Sequence, residues 1–478
     1  MQVTLESKNP FKIKTQALCL LIADDTKMVK GSPDIVKSGI KDVHHEKITT
    51  IHTKTSAQRI ILASIKGHEK DNDIIRHVSG LVAKKIKELE LNEFVFVLPS
   101  QLKKQHVIIQ NIIEGVIPAM YTFSKYKTRK QNLPTKFKII AQRNKLNQQA
   151  VKHAKIISEC VVFTKELCNL PPSECTPAVL ADYAKKIAKT NSLKINILGK
   201  AQLIKGKFGG IVAVGQGSKN EPKLITLEYN GAGKQRPIVL VGKAVTFDTG
   251  GISLKPGEKM EEMKFDKCGG CVVLGIVKAV AELKLGLNIV GIVPSVENMP
   301  DGQAYRPGDI VTLFSGKTAE ILNTDAEGRL ILADALSYGE KKYSPRAIID
   351  FATLTGACIV ALGNNVAGLV SNNDSLAEKI LDASQVTCEK LWRLPIDDDY
   401  MDMVKSDFAD IRNMGIGRAA GTITAAAFLK NAINKTPWAH IDIAGTAWTQ
   451  GATKYKSYNP KGATAYGVRL ILKYLSNV

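Results

Sequence analysis

The sequence predicts an α/β protein of two domains, a smaller N-terminal α/β domain and a larger C-terminal domain with a mostly parallel sheet flanked by helices. Its 478 residues exceed what a single hydrophobic core usually supports. Continuous apolar runs at 238–241, 289–293, 347–351 and 439–443 alternate with helical patterns. Such runs are typical of a parallel sheet covered on both faces, where ligands bind at the carboxyl ends of the strands.

The N-terminal domain is predicted from strand-like runs at 59–63 and 94–98 with a helical stretch between them. A helix rich in alanine, lysine and glutamate follows, and Pro171-Pro172 ends it because proline cannot continue a helix. We therefore expect an N-terminal α/β domain at 1–150, a linker helix at 151–170 and the larger domain at 171–478.

The composition indicates a globular protein without a membrane span. Hydrophobic residues make up 44% of the chain and charged residues 23%, and both values are ordinary. No apolar run reaches the roughly 18 residues that a membrane-spanning helix requires. Acidic residues directly follow the short apolar run at 17–23, so we interpret this run as a buried strand rather than a signal peptide. We expect a cytoplasmic protein.

The eight cysteines are scattered, and without a secretion signal they argue against a disulfide scaffold. Cys268-Gly-Gly-Cys271 has the spacing of half a zinc site or of a redox pair. The sequence has no second pair with this spacing, and an apolar helical run follows Cys271. The favoured interpretation is therefore two small core residues.

The formal net charge of +21 is concentrated in one segment of the N-terminal domain, at 125–155, which contains no acidic residue. This segment is either a surface for nucleic acid, with duplex DNA as the ligand, or a solvated face of a lysine-rich protein. The second interpretation is favoured because charge runs are weak motifs. The cations are Lys125, Lys127, Arg129, Lys130, Lys136, Lys138, Arg143, Lys145, Lys152 and Lys155.

The common hydrolase motifs H-E-x-x-H and G-x-S-x-G do not occur in the sequence. Seven of the eight histidines fall in the N-terminal third, and only His440 lies in the larger domain. His440 stands between apolar residues of a predicted strand, so we interpret it as a core or supporting residue rather than a metal ligand. A metal site in the larger domain must then use mainly carboxylates.

Two segments place polar residues where the predicted fold forms sites. Lys243 and Asp248 follow a buried strand that leads into Gly250-Gly251, and so they lie near a strand end. Asp266 stands at the start of a predicted helix, where the free N–H groups favour negative charge. By itself, Asp266 is adequately explained as a helix cap.

A third segment, around 323–330, carries two acids and an arginine. Asp325 and Glu327 point to the same side of an extended stretch, because side chains alternate. Two carboxylates on one side can hold two cations that prefer oxygen ligands. Arg329 follows at a helix N-terminus, which makes an anion site.

Several of these strings resemble the leucyl aminopeptidase family, the M17 metallopeptidases. Asn323-Thr-Asp-Ala-Glu-Gly-Arg-Leu330 is similar to the signature of the family, and Phe247-Asp-Thr-Gly-Gly-Ile-Ser-Leu-Lys-Pro-Gly257 is similar to a second motif. The resemblance covers about 165–478, while the N-terminal part is similar only in general character. Further similar strings lie at 352–357, 437–445 and 461–464.

The resemblance implies a peptide-hydrolysing enzyme that uses two divalent metal ions, manganese or zinc, and prefers N-terminal leucine or other apolar residues. Lys255 and Arg329 match the two catalytic positions, and Arg329 would hold a bicarbonate ion that shuttles the proton. The implied ligands are Lys243, Asp248, Asp266 and Glu327 for one metal, and Asp248, Asp325 and Glu327 for the other.

The resemblance also implies a substrate pocket and a homohexamer with the larger domains at its centre. The sequence departs from the usual family pattern at Ala244, where glycine is common, and at Gly270-Cys271, where an alanine-rich pair is common. Lys267 replaces a common methionine, and Ala465 a frequent glycine. These departures put local packing in doubt rather than the reaction. The pocket residues would be Met263, Thr353, Leu354, Gly356 and Ala444.

Overall fold

The computed structural model describes residues 1–23, 43, 47–54, 56–99, 102–128, 133–417, 419–450 and 456–478. The chain forms two compact units. The first comprises Met1–Val162 and Ala452–Lys461, and the second comprises Phe163–Gly451 and Gly462–Val478.

Within the described part of the first unit, six strands form one sheet in the order β1-β6-β5-β2-β4-β3. Five strands are parallel, and β3 pairs antiparallel with β4 at one edge. The elements up to the unit boundary are β1 (Gln2–Glu6), β2 (Thr15–Ile22), β3 (Ile48–His52), β4 (Ala57–Ser64), α1 (Asn72–Glu88), β5 (Glu93–Val97), α2 (Gln105–Met120), β6 (Lys136–Ile140) and α3 (Lys145–Asn169), which continues into the second unit.

Strand β2 shows why this sheet forms. Its residues are apolar on both faces, and Cys19 and Leu21 pack into one hydrophobic cluster while Leu18 and Leu20 pack into another. A strand buried on both faces produces the continuous apolar run that a covered parallel sheet requires. The prediction of a buried strand at 17–23 is confirmed by β2.

In the described part of the second unit, nine strands form a mixed sheet around a parallel centre, β18-β14-β9-β11, with β10 also pairing with β11. The nine strands are β7 (Lys194–Leu198), β8 (Lys223–Asn230), β9 (Ile238–Gly242), β10 (Ala244–Asp248), β11 (Asn288–Asn298), β14 (Ala347–Ala352), β15 (Ala367–Ser371), β16 (Leu391–Arg393) and β18 (Trp438–Asp442), and the unit also contains β12 (Ile310–Thr312), β13 (Thr318–Glu320) and β17 (Ile411–Arg412). The antiparallel pairs lie towards the edges, where β8 pairs with β11 and β15 with β18. The predicted fold class, α/β with a mostly parallel sheet, is confirmed.

Helices flank this sheet, and β12, β13 and β17 form a small separate sheet. The helices of the second unit are α4 (Pro177–Asn191), α5 (Lys200–Lys205), α6 (Gly209–Gly215), α7 (Cys268–Leu283), α8 (Gly328–Tyr343), α9 (Gly356–Leu362), α10 (Asp374–Thr387), α11 (Asp398–Asp402), α12 (Gly421–Lys430) and α13 (Val468–Leu475). Over the described ranges, no helix is both long and apolar enough to cross a membrane.

Helix α7 approaches the sheet unusually closely through the two glycines between Cys268 and Cys271. A Cβ atom added to Gly269 would lie 2.1 Å from the carbonyl oxygen of Phe351, and one added to Gly270 would lie 2.7 Å from the Cβ atom of Ala244. Both cysteines are buried at the start of α7. The glycines thus bring the start of this helix against the strand ends of β9 and β14.

Candidate metal centre

The candidate site lies at the carboxyl ends of the central parallel strands. Lys243 directly follows β9, and Asp248 is the last residue of β10. The backbone N–H of Lys243 donates to the carbonyl of Phe351 on β14 (3.0 Å), and its own carbonyl accepts from Gly270 on α7 (2.7 Å). Two strands and a helix start therefore fix the backbone of Lys243, as expected for a site at the strand ends.

Three carboxylates converge at this edge. One oxygen from each of Asp248, Asp325 and Glu327 lies within 4.8 Å of the other two. The Nζ atom of Lys243 lies 2.8 Å from Oε1 of Glu327 and 2.9 Å from Oδ1 of Asp266. The structure therefore brings together all five residues that the sequence predicts as metal ligands.

The two lysines of the site carry positive charge in this arrangement. Burial by itself lowers the pKa of Lys243, but Asp266, Glu327 and Asp248 raise it further, so the net pKa lies above its usual value. Lys255 lies 2.9 Å from Oδ2 of Asp248 and also forms an ion pair with Asp325. Its pKa is raised as well, because the same carboxylate cluster outweighs burial.

The four carboxylates of the site carry more negative charge than its two lysines can neutralise. Burial, and then the neighbouring Asp248 and Glu327, raise the pKa of Asp325 to about 7. Burial also raises the pKa of Asp266 well above its usual range, although Lys243 opposes the shift. Crowded carboxylates with raised pKa values indicate a site that a cation would stabilise.

The hydrogen bonds also fit a cation site. Among the described residues, Oδ2 of Asp266 is buried and accepts no hydrogen bond. Oδ1 of Asp325 and Oε1 of Glu327 form ion pairs with lysine Nζ atoms, but neither oxygen accepts a well-aligned hydrogen bond from the described residues. Oxygen ligands of this kind suit manganese, while zinc also accepts carboxylates. The side chains present therefore fit divalent metal ions.

Arg329 lies beside the carboxylates in the first turn of α8, which begins directly after Glu327. Its side chain is buried, and one terminal nitrogen donates to the carbonyl of Asn413 (2.7 Å). The Nε atom has no acceptor within the described ranges. Burial lowers the pKa of Arg329 to about 10, so the guanidinium remains charged at neutral pH.

Three of the predicted pocket residues lie in short segments next to the ligands. Thr353 donates from Oγ1 to Oδ1 of Asp266 (2.7 Å), and its carbonyl accepts from Nζ of Lys243 (2.9 Å). Met263 is half-buried in a short 3₁₀ helix, Met260–Phe265, that ends just before Asp266. Gly356 is exposed, and a Cβ atom added there would meet no atom within 4 Å.

The other two pocket residues are joined by Asp442, which sequence reasoning missed. Oδ1 of Asp442 accepts from the backbone N–H of Leu354 (3.2 Å) and of Ala444 (3.1 Å). Its Oδ2 accepts from the hydroxyl of Thr355 (2.7 Å). A buried acid at the end of β18 was the available signal, since acids rarely lie in cores without partners.

His440 is a supporting residue of the core, as the sequence suggests. It is fully buried, and its Nδ1 atom lies 2.6 Å from Oδ1 of Asp350. Burial alone lowers the pKa of His440, but Asp350 raises it above its usual value. The indole of Trp438 donates to the other oxygen of Asp350 (2.8 Å).

Carboxylates that converge at the edge of a parallel sheet, with two lysines and an arginine beside them, are typical of a metal-dependent enzyme. The chain belongs to the cytosol aminopeptidase family. It matches the catalytic domain of this family over residues 162–472 and the N-terminal domain over residues 37–130. The resemblance in the sequence motifs is confirmed, and the chain is an aminopeptidase, a metallo-exopeptidase.

Known relatives support this assignment along the whole chain. The chain is 55% identical to a "Probable cytosol aminopeptidase" of Cenarchaeum symbiosum (strain A), covering 99% of both chains. It is 41% identical to one of Roseiflexus castenholzii (strain DSM 13941 / HLO8), again covering 99% of both. Among solved structures it is similar to "Bottromycin maturation enzyme BotP in complex with Mn", with a TM-score of 0.87 and 28% identity over 97% of this chain and 99% of that one.

Proposed function

We propose that this aminopeptidase releases N-terminal amino acids, preferably leucine and other apolar residues, from peptides with a free amino group. The observation that carries the proposal is the convergence of Asp248, Asp325 and Glu327 beside Lys243 and Asp266. One divalent ion would be held by Lys243, Asp248, Asp266 and Glu327. A second would be held by Asp248, Asp325 and Glu327. Two such ions, when bound, would lower the pKa of a water molecule and polarise the scissile carbonyl.

Manganese and zinc are the proposed metals. Carboxylate oxygens suit manganese, and a relative of similar structure was solved in complex with Mn. Zinc remains a candidate because the donor set includes the lysine nitrogen of Lys243. Lys243 can ligate a metal only after losing its proton, and nearby dications favour this loss.

Lys255 is proposed to stabilise the oxyanion that develops on the substrate. Its side chain is 21% exposed, whereas that of Lys243 is 4% exposed. Because the carboxylates keep the pKa of Lys255 raised, the side chain remains an ammonium at neutral pH. A charged donor fixed beside the reacting carbonyl is worth several kcal/mol of barrier, about 2.7–4 kcal/mol in typical cases.

Arg329 is proposed to bind a bicarbonate ion that takes part in proton transfer. The guanidinium cannot act as a base at neutral pH because it stays protonated. Its terminal nitrogen is held by the carbonyl of Asn413, while Nε has no acceptor among the described residues. A fixed arginine with a free donor at a helix start suits a small planar anion.

The proposed pocket for the N-terminal side chain consists of half-buried and small residues. The open space at Gly356 leaves room for a substrate side chain, and Thr353 ties this segment to Asp266. A free α-amine that ligates one metal would explain why only N-terminal residues are released. The proposed lining residues are Met263, Thr353, Leu354, Gly356 and Ala444.

A blocked substrate tests the role of the α-amine. A leucyl peptide should be hydrolysed, whereas its N-acetylated twin should not, because acetylation delocalises the nitrogen lone pair into an amide and makes it unable to bind metal. Release of leucine from both peptides is followed at equal concentrations. Equal turnover of the two peptides would contradict the proposal, and an N-terminal glutamyl peptide serves as the control for apolar preference.

Variants separate metal binding from transition-state stabilisation. Asp248→Asn should lose metal and all activity, because Asp248 is assigned to both ions. Lys255→Ala should keep its metal and slow turnover by about 10²–10³. Metal analysis after dialysis, together with kinetics, distinguishes these outcomes.

Asp350→Asn is the matched control for a buried carboxylate and should retain metal, because Asp350 pairs with His440 instead. Loss of metal from Lys255→Ala would show that the lysine is a ligand.

The family resemblance also supports a homohexamer in the cytoplasm. Large apolar side chains are exposed on the second unit, among them Val360 (90%), Phe408 (78%) and Trp392 (63%). A subunit interface would cover such side chains where they adjoin one another. The curated relatives are named cytosol aminopeptidases, which favours the same location for this chain. Sedimentation equilibrium tests the hexamer, and a monomer at micromolar concentration would exclude it.

Binding of duplex DNA through the basic segment at 125–155 is a second proposed role. Three of its cations have acidic partners, since Lys136 lies 3.0 Å from Glu93, Lys138 lies 3.1 Å from Glu6 and Lys155 lies 3.8 Å from Glu159. These ion pairs favour a solvated face. Arg129 and Lys130 lie outside the described residues.

A mobility-shift titration at two salt concentrations tests DNA binding. Binding to phosphates must weaken with salt, by about 0.9 in the log–log slope for each phosphate neutralised. Replacing Arg129, Lys130, Lys136 and Lys138 with glutamine should reduce this slope and leave peptidase activity unchanged. Without retardation of duplex DNA at low salt, the segment is only a solvated surface.

A further inference from the structure

Asn298 occupies a buried position directly beside the candidate metal centre. It is the last residue of β11, and its accessible surface is 0%. In the parallel pairing of β10 with β11, Asn298 lies opposite Asp248, after an irregularity in the register. The side chain of an asparagine thus meets the carboxylate that is assigned to both metal ions.

The amide of Asn298 joins the two chain segments that carry the ligands. Its Nδ2 atom donates to Oδ1 of Asp248 (2.8 Å) and to the carbonyl of Thr324 (3.1 Å). Thr324 directly precedes Asp325, and Asp248 ends β10. One NH₂ group therefore fixes the distance between two ligand segments that are 76 residues apart, because both of its hydrogens are used.

The hydrogen bond from Asn298 occupies one carboxylate oxygen of Asp248 and leaves the other oxygen available to a different group. Oδ1 of Asp248 accepts from Asn298 and from the backbone N–H of Gly250 (3.0 Å). Oδ2 instead faces Nζ of Lys255 (2.9 Å). Hydrogen bonds that hold one carboxylate oxygen orient the other, and such supporting contacts typically contribute 10–100-fold to metal affinity.

The amide of Asn298 supplies this pair of donors without adding charge. An aspartate at the same place would set a second carboxylate against Asp248, and a leucine of the same size would donate nothing. The oxygen of Asn298 is buried without a partner among the described residues, and a Cβ atom on Gly251 would come within 2.8 Å of it. The carboxylate of Asp248 and the carbonyl of Thr324 both accept, so the amide keeps its NH₂ group, and not its oxygen, towards the ligand segments.

We propose that Asn298 is a positioning residue of the metal centre, which holds Asp248 and the Asp325 segment at the spacing that binds two cations. This inference rests on the proposed function. The fold does not depend on the same contact, since Tyr305 also donates to the carbonyl of Thr324 (2.7 Å) and Gly250 also donates to Asp248. Removing the amide leaves both acceptors with another donor.

The test is manganese binding by metal-free protein carrying Asn298→Leu. Isothermal titration with Mn²⁺ alone should show an affinity about 10–100-fold weaker than that of the wild-type chain. Turnover of a leucyl peptide should fall at limiting Mn²⁺ and recover largely in excess Mn²⁺, because the reacting groups are unchanged. Asn298→Ala is a second variant in case the leucine methyl groups disturb packing.

The matched control is Asn288→Leu at the other end of the same strand. Asn288 is also buried, and its Nδ2 atom donates to the carbonyls of Gly233 (2.9 Å) and Gln235 (2.7 Å). This variant should lose at least as much stability in urea as the Asn298 variants, yet bind Mn²⁺ with wild-type affinity. A general packing effect would lower the affinity of both.

Two results would overturn the inference. Wild-type affinity in both Asn298 variants would show that the amide does not position the ligands, and an equal loss in Asn288→Leu would show an effect of stability alone. Failure of the proposed function gives a different result, because the wild-type chain itself would then bind no Mn²⁺ and release no leucine.

Discussion

Gly270 and Ala244 form a contact whose energetic consequence can be predicted from the structure. A Cβ atom added to Gly270 would lie 2.7 Å from Cβ of Ala244 and 2.7 Å from a methyl group of Val293. Real Cβ atoms essentially never approach closer than 3.0 Å, so Gly270→Ala requires a displacement of at least 3.0 − 2.7 = 0.3 Å at each contact. Ordinary van der Waals contact begins at 3.4 Å, which requires 3.4 − 2.7 = 0.7 Å.

Gly270→Ala should therefore lower the free energy of unfolding of the second unit by about 1–3 kcal/mol, the usual cost of overpacking a core. Adding Ala244→Gly removes one of the two clashes and should recover part of the loss. The coupling energy between the two changes is expected to be about 0.5–3 kcal/mol. The sequence has alanine where glycine is common in the family, and glycine where the family has an alanine-rich pair, so we expect the two departures to compensate each other.

Urea unfolding followed by tryptophan fluorescence measures this coupling. The three tryptophans, Trp392, Trp438 and Trp448, all lie in the second unit, so the signal reports on the unit that carries both changes. Gly269→Ala is the control, because its added Cβ atom would meet the carbonyl oxygen of Phe351 at 2.1 Å and Ala244→Gly cannot relieve it. Additive effects of Ala244→Gly and Gly270→Ala would refute the reasoning.

Three further predictions concern single residues. Ala465 has a φ of +59°, a left-handed conformation that costs alanine about 1 kcal/mol, so Ala465→Gly should raise the urea midpoint of unfolding rather than lower it. Burial and the nearby Arg469 lower the pKa of Lys165 to about 7, so the unfolded chain binds more protons between about pH 7 and pH 10. The free energy of unfolding should rise with pH across this window, by up to about 1.4 kcal/mol per unit, and Lys165→Met should remove the slope in urea titrations at pH 7 and pH 9. Asp442→Ala should raise KM for a leucyl peptide on the order of tenfold, because it removes the acceptor that holds the backbone N–H of Leu354. The metal content after dialysis should stay at the wild-type level, and loss of metal from the variant would contradict this prediction.

Three candidate ligands could be proposed from the sequence because their signals are local, whereas Asp266 became a candidate only through the family resemblance. Asp325 and Glu327 are two residues apart, and Asp248 follows a continuous apolar run. The expectation of an extended stretch was wrong, because Asp325 lies in a turn and Glu327 has helical backbone angles at the start of α8. Spacing and strand ends suffice for such residues, and the structure brings the side chains within 4.8 Å of one another. The general fold was predictable for the same reason, since apolar runs in the core are continuous in the sequence.

The supporting residues could not be predicted because their signals depend on register. Asn298 contacts Asp248 only because β10 and β11 pair with an irregularity between Val245 and Asp248. Asn413 holds Arg329 across 84 residues of chain. A lone asparagine at the end of a strand has no distinctive pattern, so its role emerges only when two distant segments are placed together.

The interpretation of the Cys268–Cys271 pair illustrates the same limit. The sequence favours two small core residues, and the structure shows that the intervening glycines are needed for the approach of α7 to the sheet. That approach places Asp266, two residues before Cys268, beside Lys243 at 2.9 Å. Glycine spacing in a sequence does not reveal which backbone lies opposite, so the connection with the site could not be inferred.

The two lysines of the centre differ in exposure, and this difference supports their separate roles. Lys243 is enclosed by the backbone of Thr353, by Asp266 and by Glu327, so it cannot leave the carboxylates without opening the core. Lys255 is five times more exposed, at 21% against 4%, and contacts the same carboxylate cluster from the solvent side. A cation held by the carboxylates would supply the positive charge that Lys255 now provides, and the ammonium would then be available to a substrate. The enclosed lysine suits a ligand, and the exposed one suits the stabilisation of a transient oxyanion.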